Sequence, residues 1–196
     1  MTKVEAECDS GISRSPYSSQ MRTDAEYPVG FALLMDSRRQ RAEKIAKRYI
    51  GVDTLMKDLG SGAEGFVFPS PSATAVKVFT YKEKFARELA AYKRLRRHKV
   101  DSVLGFAVPK LLKWNSRLLV IEMTLVEPPF LLDFAQAELD TPLEFPEGLE
   151  EWWGRLAEDF GERLPVVQSV FFELQQKYGI YYYDRAPRNI NFGDDK

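Results

Sequence analysis

The chain has 196 residues, 44% apolar and 29% charged, with a net charge of −1. That is enough apolar material for one core domain of about 150 residues plus a tail. The near-neutral balance argues against nucleic acid or an anionic membrane as partner. The single cysteine, Cys8, rules out an internal disulfide. With no run approaching roughly 18 apolar residues, a cytoplasmic protein without membrane spans is expected.

In chain order, residues 1–30 mix polar and apolar residues without a period and read as a flexible arm. From Asp36, Ala42, Ile45, Ala46 and Tyr49 recur at helical spacing, while Arg38, Arg39, Arg41, Lys44, Lys47 and Arg48 fill the other face. A basic amphipathic helix results, read as a packing helix with a solvated face.

Residues 54–80 switch to strand character. Phe66-Val67-Phe68 and Ala75-Val76-Lys77-Val78-Phe79, joined by the turn-rich Pro69-Ser70-Pro71-Ser72, predict an antiparallel hairpin. Helical spacing returns from Tyr81 to Arg97, with Phe85, Leu89, Tyr92 and Leu95 on one face. Strands are predicted at Lys110–Lys113 and Leu118–Thr124. Pro128-Pro129 marks a boundary, dividing the folded part into 31–127 and 128–196. Helices are predicted around Phe130–Glu138, over Leu149–Phe160, and along the stripe from Leu164 to Tyr178, which Gly179 stops. Ile180–Tyr183 reads as a short buried approach to a polar loop, and Ile190–Phe192 as a strand after it. His98 falls in a basic run and reads as a surface residue, and Trp152 and Trp153 as packing residues.

Chemistry concentrates in four places. Gly60-Ser61-Gly62-Ala63-Glu64-Gly65-Phe66-Val67 is a turn whose glycines allow φ > 0 and close backbone approach to phosphates. Ten residues on, Lys77 stands alone in an apolar strand, where an unpaired ammonium is costly, so it needs an acidic partner. Glu88 and Glu83 on the following helix are the candidates. Finally, Asp184-Arg185-Ala186-Pro187-Arg188-Asn189 sets an aspartate five residues before an asparagine.

On these residues the chain resembles the protein-kinase-like phosphotransferases, which include aminoglycoside-type kinases. The resemblance covers residues 55–196. It implies an α+β, two-lobed fold: a small antiparallel sheet with one helix, then a reduced, mostly helical lobe. It also implies that Gly60, Gly62, Gly65 and Val67 cover ATP, that Lys77 holds its phosphates and that Glu88 orients Lys77. The Glu122 carbonyl and Thr124 amide would face adenine. Asp184 would accept the proton of an attacking hydroxyl, Asn189 would hold Mg²⁺, and Arg188 would lie near the γ-phosphate.

One family element is missing downstream. A second metal-binding aspartate is expected well after Asn189, yet only seven residues follow it. The resemblance therefore implies a kinase truncated or reduced at its C-terminus. The expected function is transfer of the γ-phosphoryl of ATP to a hydroxyl of a protein or small molecule. The alternative is a catalytically impaired pseudokinase or remnant acting as an interaction module.

Overall fold

The computed structural model describes residues 29–142, 148–182 and 186–193. Helix α1 (Val29–Ile50) leads into β1 (Gly60–Ser61), β2 (Gly65–Pro69) and β3 (Thr74–Phe79), followed by α2 (Lys82–Arg97). Next come β4 (Ser102–Val103), β5 (Phe106–Ala107), β6 (Leu111–Asn115), β7 (Val120–Thr124), β8 (Phe130–Leu131) and β9 (Glu138–Leu139). Helices α3 (Leu149–Phe160) and α4 (Leu164–Tyr178) precede β10 (Ile180–Tyr181), a 3₁₀ turn at Pro187–Asn189 and β11 (Ile190–Asn191).

The main sheet is antiparallel throughout, in the order β1-β2-β3-β7-β6. Its two faces are set by the strand period of two. On one face Phe66, Phe68, Val76, Val78 and Val120 pack against Ala42 and Ala46 of α1. The basic residues of α1 therefore belong to a helix docked through small residues, as its spacing suggested. The other face joins α2, α3 and α4 in one continuous apolar cluster that runs from Ala75 and Ile121 to Leu156 and Leu174.

A second sheet, ordered β11-β8-β5-β4, departs from expectation. Its β4–β5 hairpin turns on Leu104 (φ 48°) and Gly105 (φ 90°), two consecutive left-handed residues suited to a two-residue hairpin loop. The segment expected to be helical, Phe130–Glu138, is instead strand β8, a turn and strand β9. Two influences override the apolar spacing here. Phe130 and Leu131 pair with β5 on one side and β11 on the other, and Asp133 sits at φ 58°, which no α-helix accommodates. Helix α1 also starts earlier than Asp36. Helices α2, α3 and α4 fall where their apolar stripes and glycine stop placed them; Gly179 caps α4 at φ 61°. The chain is α+β, and no described helix is long and apolar enough to cross a membrane.

Candidate functional site

A cleft of about 1100 Å³ opens between the main sheet and the helical side. Its roof is the turn from Gly60 to Gly65, which Leu59 and Gly62 amides fold back through bonds to the carbonyls of Val67 and Gly65. None of the three glycines has positive φ, so the conformational reason anticipated for them does not apply. Their absent side chains matter differently. A Cβ at Gly65 would lie 2.3 Å from the Val78 carbonyl oxygen, whereas Gly60 and Gly62 face open space. Gly65 is thus required by strand packing, and the other two leave room over the cleft. Lys84 of α2 anchors the turn by an ion pair to Glu64 at 2.8 Å.

The floor carries the charges. Alternation along β3 sends Val76 and Val78 toward α1, and Ala75, Lys77 and Phe79 toward α2 and the cleft. Lys77 is only 6% exposed. Its Nζ donates to Glu88 Oε2 at 2.7 Å and to Asp133 Oδ1 at 3.0 Å, and it lies 5.0 Å from the Phe79 ring centre. The expected Lys77–Glu88 pair is therefore present and buried. Glu83, the competitor, is exposed at the start of α2.

Asp133 was not anticipated. It follows β8, and its Oδ1 also accepts the Ala135 amide at 3.2 Å, a local turn of the kind that lets aspartate occupy left-handed space. Because β8 lies antiparallel to β11, with Leu131 opposite Ile190, the turn carrying Asp133 stands beside Asn189. The Leu132 amide donates to the Asn189 carbonyl at 2.8 Å, and the Tyr182 hydroxyl donates to the Leu132 carbonyl at 2.6 Å. A carboxylate from upstream of Asn189 thus stands beside it through strand pairing. The signal was a single carboxylate, Asp133, closing the apolar run Phe130-Leu131-Leu132 just ahead of Phe134.

Two carboxylates share one ammonium in this buried spot. Burial pushes the Glu88 carboxyl up, Asp133 adds a like charge, and Lys77 opposes both, leaving Glu88 at about 8. Burial alone would lower Lys77, but Glu88 and Asp133 outweigh it and hold the ammonium above its ordinary value. The lysine therefore stays charged, while burial biases the Glu88 carboxyl upward against the pull of its ammonium partner.

The predicted base-contacting residues stand differently. Glu122 shares the α1 face of β7 with Val120 and does not line the cleft. Its carboxylate accepts from the Tyr49 hydroxyl at 3.1 Å and the Thr74 hydroxyl at 2.9 Å, and burial beside it pushes Tyr49 up to about 12. Thr124 lines the cleft, but its amide donates to the Lys110 carbonyl at 3.0 Å and its hydroxyl accepts the Lys110 amide. The strand period made the Glu122 side chain's direction readable; the Lys110 contact was not. Met123, Leu125 and Val126 continue the cleft wall.

Val67, Arg188 and Asn189 line the cleft as well. Arg188 is exposed and Asn189 is 8% exposed. Asp184 lies outside the described residues; Ala186, which lines the cleft, accepts the Asn189 amide through its carbonyl at 2.8 Å. Among the described residues no group of three acidic, histidine or cysteine side chains could cage a metal alone. Asp133 and Asn189 instead offer a few hard oxygen donors on one wall, which suits a Mg²⁺ whose remaining ligands are water and substrate phosphates. The side chain of Asp133 is 27% exposed, and its Oδ1 carries both of its hydrogen bonds, so Oδ2 is available to such an ion.

No protein-family profile and no curated protein matches the chain. Solved structures with some likeness are the streptomycin–ATP–APH(2'')-IIa ternary complex (18% identity, TM-score 0.36) and the gentamicin–APH(2'')-IIa complex (17%, 0.37). A third is the ADP-bound aminoglycoside phosphotransferase APH(2'')-Ib (19%, 0.36). The matches cover 68%, 67% and 68% of this chain and 38%, 38% and 39% of theirs. The chain thus spans well under half the length of those proteins, and at such scores the likeness carries no argument about the cleft.

Proposed function

We propose that the cleft binds ATP with Mg²⁺ and transfers the γ-phosphoryl group to a hydroxyl, within a two-lobed kinase-like fold divided near Pro128-Pro129. One observation supports this above the others: Lys77, buried under a glycine turn, bridges Glu88 and Asp133 on the floor of a cleft that Asn189 also lines. A structural ion pair needs one acid; a second, partly exposed acid held in a left-handed turn reads as a poised group.

In this reading Lys77 draws the phosphates inward, Glu88 keeps it aimed, and the amides of the Gly60–Gly65 turn lie above them. Backbone at Leu125 and Val126, rather than at Glu122 and Thr124, meets the base. Asp133 and Asn189 hold the cation, which neutralises phosphate charge when bound. The acceptor oxygen forms a bond to the γ-phosphorus as the bond to the β–γ bridging oxygen breaks. ADP leaves with that electron pair, and Asp184 takes the hydroxyl proton. Arg188 offsets charge on the transferring group. The non-catalytic alternative draws on the missing downstream acid, for which Asp133 stands in under this reading. The acceptor, protein or small molecule, is left open by the residues.

The test is thermal stabilisation by ATP·Mg²⁺. At a hundredfold excess over Kd the wild type should gain about 2.7 kcal/mol, roughly 5–10 °C in Tm, and Lys77→Ala should gain nothing. Asp184→Asn should keep the shift and lose γ-phosphoryl release. A wild type indifferent to ATP·Mg²⁺ overturns the reading.

A further inference from the structure

Tyr92 stands on α2 one turn beyond Glu88, so its side chain shares the face that Glu88 presents to the cleft. It is 1% exposed, and among the described residues its hydroxyl is the buried side-chain polar atom without a hydrogen-bond partner. An orphaned hydroxyl in a core is costly, and a phenylalanine would fill the same space at no such cost. Its ring packs steeply inclined against that of Phe134, the residue after Asp133, with centroids 5.3 Å apart, and Tyr92 lines the same cleft as Glu88 and Asp133. Nothing in the packing calls for an oxygen there.

We propose that Tyr92 is a positioning residue for the hydrated cation: a water coordinated to Mg²⁺ on Asp133 donates a hydrogen bond to the Tyr92 hydroxyl oxygen. The inference rests on the nucleotide reading above and goes beyond it in naming what orders the cation's inner side. Mg²⁺ gives up its water reluctantly and is commonly held by few protein oxygens. A site built from Asp133 and Asn189 then needs partners for the retained waters, and Tyr92 supplies one from the buried wall. The acids themselves remain occupied, Glu88 by Lys77 and Asp133 Oδ1 by Lys77 and the Ala135 amide.

The experiment compares wild type with Tyr92→Phe, using ADP as the probe. The magnesium concentration giving half-maximal ADP-dependent thermal shift is read for each, with ADP affinity in EDTA as a second readout. Tyr92→Phe should raise the magnesium midpoint by about tenfold, the scale on which groups ordering a metal's ligands act. It should leave ADP affinity in EDTA unchanged and the ligand-free Tm unchanged or higher. An unchanged magnesium midpoint overturns the inference, as does an equal loss of ADP affinity in EDTA. A variant that no longer folds also overturns it, by showing that the hydroxyl has a structural partner. Wild type blind to ADP with and without magnesium removes the nucleotide reading itself, which separates that failure from one confined to Tyr92.

Discussion

Glu88 shows how one side chain can carry a signature readable in solution. Its carboxyl is about 8 in the folded protein against an ordinary 4.5. Lys77, Asp133, Glu64 and the Tyr92 ring surround it. Between those values the folded chain binds a proton that the unfolded chain has released. This contribution to stability is complete below about 4.5 and is lost as pH rises toward 8. Tm in EDTA should therefore fall from pH 5 to pH 8 by this group's share, and Glu88→Gln should flatten the slope. A slope identical in both proteins would place the titrating group elsewhere. Gly65 makes a simpler case at the same scale. Gly65→Ala forces its Cβ onto the Val78 carbonyl and should cost about 1–3 kcal/mol in denaturant unfolding. Gly62→Ala, facing open space, should cost little stability and weaken ATP binding instead. Equal destabilisation by the two would contradict the packing argument.

At the scale of elements, periodicity carried most of what the sequence could tell. The stripe on α4, the spacing on α2 and the alternation in β2 and β3 each record one face against one core, while the pairing of Lys77 with Glu88 came from the kinase resemblance. The segment Phe130–Glu138 could not be read this way. Its strands are two residues long, too short for a period, and their partners, β5 and β11 for β8 and β10 for β9, lie far off in the chain. Asp133 was hidden for that reason: its role follows from pairing between β8 and β11, a nonlocal fact. The same pairing is stiffened by an aromatic run, Tyr92 to Phe134 at 5.3 Å and Phe134 to Tyr182 at 5.3 Å, joining α2, the Asp133 turn and the approach to Asp184. Phe134→Ala should cost about 3–5 kcal/mol, as a fully buried aromatic does. Tyr182→Phe keeps the ring but leaves the Leu132 carbonyl without its donor, which should cost about 1–3 kcal/mol. If catalysis depends on the Asp133 turn holding its shape, Tyr182→Phe should also weaken the magnesium dependence of ADP binding. A loss of stability with no change in that dependence would confine Tyr182 to packing.

For the whole molecule the question is whether the sheet side and the helical side act as one body. The main sheet and its α1 cover have a core of their own, which by itself would permit independent unfolding. The larger cluster argues the other way: it runs without interruption from Ala75, Phe79 and Ile121 under the sheet, through Phe134, to Trp152, Leu156 and Leu174 on α3 and α4. Further ties reinforce it, with Lys77 of β3 bonded to Asp133 beyond Pro128-Pro129 and Arg94 of α2 bonded to the Tyr178 carbonyl at the end of α4. Buried apolar surface of this continuity unfolds together, because exposing one side strips the other of its contacts. The three tryptophans make this measurable, since Trp114 sits on β6 at the sheet's edge while Trp152 and Trp153 sit on α3. A Trp152→Phe/Trp153→Phe variant reports the sheet alone and Trp114→Phe reports the helices alone. Their urea midpoints, each referred to far-UV circular dichroism of the same variant, should coincide with it, and ATP·Mg²⁺ should raise both together. Fluorescence from the sheet reporter that departs from the dichroism curve, or a nucleotide shift felt by one reporter only, would mean two separate cores. A cleft between separate cores could not hold Lys77, Asp133 and Asn189 in the register that the proposed phosphoryl transfer needs.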